Sequence, residues 1–219
     1  MTSFVELDKD FVFFDLDGTL VDSAHAISVA WGQWVDRYSI AGPDLSEALG
    51  GTSIDTIRKL VPPEEVQTAL AVLTEFELQT AHLVREVNGA RELLKTIPTG
   101  YWSLVTSSRR SVALARLSSA RLSVPDYIVT ADDYKRGKPS PEPYEVALNH
   151  VRKNARRCLT FEDSVPGVES ARASGVEVVG VTTYTSAQEL RTKLYVTDLT
   201  HVKVTFSRAR QLSIALARG

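Results

Sequence analysis

The stretch FVFFDLDGTLVDS, Phe11 to Ser23, runs four apolar residues into two aspartates separated by one leucine, then a glycine and a threonine. A short, wholly apolar run that ends in turn residues reads as a strand buried on both faces, which is the habit of a parallel sheet. Four more such runs follow, YWSLV, DYIVT, RCLTF and VEVVGV, and each is set off from the next by a longer amphipathic stretch of helical period. Strands alternating with helices in this way predict a doubly wound, parallel α/β sheet.

Between the first run and the second lies an interval too long for a simple crossover and without a convincing strand. It reads as three helices, Ala24–Tyr38, Leu45–Leu60 and Pro63–Val87, the last opening on Pro-Pro-Glu-Glu as helix starts do. Short joints frame it at Asp22–Ser23 and Asn88–Gly89. The expected organisation is therefore a helical cap, residues 23–89, inserted into an α/β core of residues 1–22 and 90–219. The tail VKVTFSRARQLSIALA reads as a terminal hairpin or as a last helix.

Composition narrows the field. The chain has 219 residues, 43% of them hydrophobic, with 25 Lys+Arg against 27 Asp+Glu. That length supports a substantial core plus a smaller module, and the balanced charge offers no global field to recruit nucleic acid or an anionic membrane. The single cysteine, Cys158, excludes an intramolecular disulfide framework and lacks partners at zinc spacing; within RRCLTF it reads as a buried core thiol. The start MTSFVELDKD lacks the cationic and apolar segments of a signal peptide, and no apolar run approaches the roughly 18 residues of a membrane helix. A cytosolic protein is expected, monomeric or weakly dimeric, since nothing in the composition compels a dimer.

In an open α/β sheet the ligand crevice lies beyond the carboxyl ends of the strands. The first run ends in Asp15-Leu16-Asp17, the second in Thr106-Ser107-Ser108 and the fourth in Glu162-Asp163-Ser164; past the third comes ADDYKRGKPSPEP, with Lys138 between Gly137 and Pro139. Side chains two apart on a strand share a face, so Asp15 and Asp17 point roughly together unless the chain turns between them, and such a pair repels. A bound cation, a shared proton or a nearby base each relieves that repulsion. Glu162 and Asp163 could complete an oxygen-only site suited to magnesium, and Lys138 could supply positive charge. Carboxylates, a metal, a lysine and a cluster of hydroxyls and backbone amides together make a receptacle for a phosphoryl group. One carboxylate could then attack phosphorus while the other moves protons.

The four segments DLDGTLVDS, LVTSS, GKPSPEP and FEDSVPG, in this order, resemble the motifs of the haloacid dehalogenase superfamily of phosphohydrolases, over nearly the whole chain. The resemblance implies a Rossmann-like core with a mobile cap between the first and second motifs. It places the nucleophile on Asp15 and the general acid/base on Asp17, with the phosphate-binding hydroxyl on Thr106, beside Ser107, and the lysine on Lys138. Gly18 and Thr19 match the family turn. The magnesium site it implies takes the Asp15 side chain, the Asp17 backbone carbonyl and Asp163, with Glu162 beside them. Among family members the chain is most similar to phosphatases of small sugar and polyol phosphates, so the expected substrate is a small phosphorylated metabolite. The competing reading is a sugar-phosphate mutase of the beta-phosphoglucomutase type. Those mutases carry a lysine and an arginine around a glycine in the cap, and Leu49-Gly50-Gly51-Thr52-Ser53-Ile54 has neither. Lys59 alone keeps open a Schiff-base hydrolase of the phosphonoacetaldehyde kind, and a phosphometabolite-binding protein without turnover is the reading from another class.

Blander roles compete at several of these positions. As a calcium loop, the DLDG segment would put Phe13 and Ala24 where acids are required. Thr106 and Ser107 could cap the following helix as well as face a phosphate. Ser108 and Arg109 suit either capping or substrate contact. His25 reads as incidental, Trp31 and Trp34 as the core of the cap, and Arg58 and Lys59 as solvated.

Overall fold

The computed structural model describes residues 4–40, 52–207 and 211–217. Phe11–Phe14 forms β2, in the middle of a six-stranded sheet. On one side it pairs with β5 (Trp102–Val105), which pairs with β6 (Ile128–Val129). On the other it pairs with β7 (Cys158–Glu162), followed by β8 (Glu177–Val181) and β9 (Leu194–Val196). Every pairing is parallel, giving the order β6-β5-β2-β7-β8-β9 and an α/β, Rossmann-like core. The order reverses at β2, so the end of that strand opens into the crevice such sheets provide.

The apolar run has no polar alternation because both its faces are covered. Val12 and Phe14 join one cluster with Leu104 and Phe161, while Phe11 and Phe13 join another with Tyr144 and Val168. Phe14 stacks on Phe161, with ring centroids 5.1 Å apart. Each such phenylalanine stabilises the fold by about 1.5–3 kcal/mol through burial. The helices α4 (Ala90–Thr96), α5 (Arg110–Ser119), α6 (Glu142–Val151), α7 (Val165–Ala173) and α8 (Ala187–Leu190) follow as expected of crossovers.

Residues between β2 and β5 supply α1 (Ala24–Tyr38), α2 (Ser53–Ile57) and α3 (Val66–Thr80). These pack around an apolar cluster of their own, which includes Ile27, Trp31, Trp34, Ile57 and Leu73. The Trp34 indole donates to the Ala69 carbonyl at 2.8 Å, tying α1 to α3 and making both tryptophans core residues. At the base of this unit β3 (Val21–Asp22) pairs antiparallel with β4 (Arg85–Glu86).

The described residues depart from the sequence reading in four places. The third helix stops at Thr80, and a single 3-10 turn then leads into β4. Val84 and Val87 sit at helical spacing, so only pairing with β3 distinguishes strand from helix there. The second helix spans Ser53–Ile57 and passes into turns before Val61, the residue ahead of Pro62, where proline disfavours helix; its expected start, with Leu49, Gly50 and Gly51 of the mutase comparison, lies outside the described residues. A sixth strand, β9, adds to the five apolar runs; at three residues it is too short to show a period and is defined by its pairing with β8. The tail is a hairpin of β10 (Val202–Phe206) and β11 (Leu212–Ala217), and β11 also pairs with an unexpected β1 (Phe4–Lys9) in a three-stranded antiparallel sheet. β1 finds its partner at the opposite end of the chain, which no local pattern announces. Among the described residues no helix is long and apolar enough to cross a membrane.

Candidate active site

Asp15 follows β2 directly, its backbone N–H donating to the Phe161 carbonyl, so the central strand itself positions the carboxylate. The chain then turns. Leu16 goes into the core, Gly18 adopts a left-handed φ of 81°, and the Asp17 side chain leaves in a different direction from that of Asp15. A Cβ on Gly18 would collide with the Asp163 carboxylate, so both the positive φ and the close approach require glycine.

Each aspartate has its own cation. Lys138 arrives from the loop between β6 and α6, 1% exposed at its side chain, and donates to Asp15 Oδ1 at 2.6 Å, Glu162 Oε1 at 2.5 Å and the Val105 carbonyl at 2.9 Å. All three ammonium protons are thereby used. Glu162 Oε1 also accepts from the buried Tyr144 hydroxyl at 2.7 Å, while Glu162 Oε2 is buried without a partner beside Gly167, the one residue there whose side chain would not strike it. Asp17 is served by Arg116 of α5, whose guanidinium lies 2.7 Å from Asp17 Oδ2. The Ser108 hydroxyl donates to the same oxygen at 2.8 Å, and Ser23 donates to Asp17 Oδ1 at 2.7 Å.

Asp15, Glu162 and Asp163 bring carboxylate oxygens within 4.8 Å of one another, all buried. Burial raises Asp15 to about 8, with Glu162 and Asp17 adding to the rise against the pull of Lys138. Burial, then Asp15 and Glu162, push Asp163 well above the carboxylate range. Crowded, desolvated, oxygen-only donors whose charges oppose one another fit a hard divalent cation. Lys138 is held firmly charged because Asp15 and Glu162 outweigh its burial.

Thr106 and Ser107 lie at the end of β5, beside this group. Thr106 is buried, its hydroxyl accepting from the Ser108 N–H, and Ser107 Oγ is buried close to the Tyr134 hydroxyl. Neither caps α5, whose N-cap is Arg109. Arg109 pairs with Asp132 at 2.9 Å, and His25 is exposed. A cavity of about 190 Å³ opens between the helical unit and the core, lined by Thr52, Ser53, Gln67, Ser107, Arg109 and Asp132 among others. A larger one, about 580 Å³, lies between α4 and β10; neither is lined by the clustered carboxylates, but the smaller one includes Ser107 at the end of β5 and the larger one includes no residue of a strand end of the central sheet.

The residues singled out in the sequence therefore converge: Asp15, Lys138, Glu162 and Asp163 in one cluster, with Thr106, Ser107 and Gly18 on its rim and Asp17 held alongside. Sequence reasoning missed Arg116, Glu77 and Tyr144. A signal was present for the first two. Arg116 shares the buried face of α5 with Val112, Ala113 and Leu117, and Glu77 shares that of α3 with Ala69, Leu70 and Leu73. A charge on an apolar helical stripe needs a buried partner.

Comparison with known proteins agrees with this geometry. The family model described as haloacid dehalogenase-like hydrolase matches residues 12–181. Hexitol phosphatase A of Escherichia coli (strain K12) is 32% identical over 174 residues, covering 77% of this chain and 81% of that protein. Validoxylamine A 7'-phosphate phosphatase of Streptomyces hygroscopicus subsp. limoneus is 31% identical over 214 residues, 87% of this chain and 94% of its own. Among solved structures, a hydrolase from Pseudomonas syringae superposes with a TM-score of 0.76 at 25% identity, covering 86% of this chain and 93% of that one.

Proposed function

Because this chain belongs to the haloacid dehalogenase-like hydrolase family and is a phosphoric monoester hydrolase, we propose that it dephosphorylates a small sugar or polyol phosphate through an aspartyl-phosphate on Asp15. The observation that carries the reading is the Asp15–Lys138–Glu162–Asp163 cluster at the end of the central strand. Residues 23–89 act in this reading as a cap over a core of residues 1–22 and 90–219.

Asp15, Asp163 and Glu162, with the Asp17 backbone carbonyl, would hold magnesium. When bound, the ion offsets charge on the phosphoryl oxygens and on the clustered carboxylates. Lys138 holds Asp15 in place and adds positive charge, and Thr106 and Ser107 donate to the phosphoryl group, whereas the Gly18 N–H is already given to the Val21 carbonyl and that glycine serves to turn the chain. An Asp15 oxygen forms a bond to phosphorus as the bond from phosphorus to the alcohol oxygen breaks. The departing oxygen keeps the electron pair and takes a proton from Asp17. Water then attacks phosphorus, loses a proton to Asp17, and releases inorganic phosphate and free Asp15.

The small cavity favours a polyhydroxylated leaving group, since its lining offers hydroxyls, an amide and a guanidinium–carboxylate pair to a sugar's hydroxyls. The names of the two relatives, a hexitol phosphatase and a phosphatase of a 7'-phosphate, point the same way. The test is phosphate release from a panel of sugar, polyol and nucleotide monophosphates with magnesium, for the wild type and Asp15→Asn. Expected are turnover of a sugar or polyol phosphate and its loss in the variant. Release that survives the substitution sinks the mechanism; binding without release favours a binding protein.

A further inference from the structure

Arg116 is buried, 2% exposed at its side chain, and its guanidinium serves two carboxylates on two different parts of the fold. Nη1 donates to Asp17 Oδ2 at 2.7 Å and to Ser108 Oγ at 2.8 Å; Nη2 donates to Glu77 Oε1 of α3 at 2.9 Å. Glu77 is itself buried, 6% exposed, on the face by which α3 meets α5. We propose that Arg116 is a positioning residue for the reaction: it aims the Asp17 carboxylate and fixes that aim to the seating of α3 through Glu77.

Three considerations carry this, and it rests on the reading of Asp17 as the proton donor. A buried ion triad contributes little net stability compared with well-packed apolar side chains, so stability alone is a poor reason for an arginine on the apolar face of α5. The contacts on Asp17 also restrain its rotation. Oδ2 is held by Arg116 and by Ser108, which Arg116 holds in turn, and Oδ1 is held by Ser23 at the first joint. Finally, a guanidinium is a rigid fork, so movement of Glu77 on α3 is transmitted to Asp17 without slack. The helical unit and the proton donor then share one buried fastening, and the donor is in register only when α3 is seated.

The experiment uses leaving-group dependence. Departure of an alkoxide needs a well-placed proton, whereas departure of a weakly basic phenolate needs little help. In a two-step mechanism kcat/KM covers events up to departure of the leaving group, so dephosphorylation does not obscure it. Values are compared for glucitol 6-phosphate and 4-nitrophenyl phosphate in the wild type, R116K, the double variant R116M/E77Q, and D17N. A lysine keeps the charge but cannot span both carboxylates; R116K is expected to lower kcat/KM about tenfold on the alkyl phosphate and less than about threefold on the aryl phosphate. The double variant removes a charge of each sign and is expected to lose about a hundredfold on the alkyl phosphate with the same sparing of the aryl one. Equal losses on both substrates, or none, in R116K overturn the proposal, whether or not the double variant folds. D17N separates the two claims: if it lowers the alkyl-to-aryl ratio while R116K does not, only the role of Arg116 fails, and if it leaves the ratio unchanged, the proton-donor reading fails and takes this one with it.

Discussion

At the scale of single residues, two aspartates one residue apart avoid each other because the chain turns at Gly18 and a separate buried cation receives each. Lys138 is the more exposed to mutation in energetic terms, since it is the common partner of Asp15 and Glu162 and neighbours Asp163. Lys138→Met removes the charge while keeping most of the bulk. It is expected to cost about 3–5 kcal/mol in urea unfolding, the usual penalty for leaving buried charges unpaired, and to lower kcat/KM by at least about a hundredfold. Unchanged turnover in a folded Lys138→Met protein would contradict the role given to the cluster.

At the scale of elements, the loop between β6 and α6 carries Lys138, and its first turn is pinned by Asp133. Partial burial raises the Asp133 carboxyl, but the Thr130 hydroxyl and N–H and the Arg110 guanidinium outweigh it and hold the group below 3.8. A carboxylate depressed in the folded state stabilises fully above its unfolded value and loses that contribution as pH falls through the folded one. Asp133→Asn should therefore lower the urea midpoint at pH 7, with the gap from wild type closing as pH falls below 3.8; a gap that is constant with pH would assign the effect to packing. The helices α1 and α3 pack around an apolar cluster of their own, with Leu73 and the two tryptophans. Leu73→Ala should cost about 2–5 kcal/mol, and native-state hydrogen exchange should speed up in α1 and α3 before β2 and β7. Equal acceleration throughout would mean that the unit does not open on its own.

For the whole molecule, a hard cation held among Asp15, Asp163 and Glu162 would link ligand binding to stability, because carboxylates crowded in the folded state are dispersed in the unfolded chain. Saturating magnesium is expected to raise the melting temperature and to permit phosphate release, and chelation to reverse both. A melting temperature indifferent to magnesium would tell against the site. Much of this plan was legible beforehand. The apolar runs located five strands of the central sheet, and the strand ends located Asp15, Asp17, Thr106, Lys138, Glu162 and Asp163. Period and strand-end position are local properties of a sequence, so they survive without coordinates. β1 and the β3–β4 pair escaped notice because their partners are remote in sequence, and β9 because three residues are too few to show a period. Arg116 and Glu77 escaped because each is one charge on an otherwise ordinary helix.

By itself, then, the sequence determined the alternation of strand and helix, the interruption after the first strand, and the chemistry gathered at the strand ends. Only the tertiary structure decided which charge neutralises which. That outcome depends on distances of about 3 Å between side chains brought together from separate elements, Lys138 with Asp15 and Arg116 with Asp17 and Glu77, and on burial that strengthens those pairings.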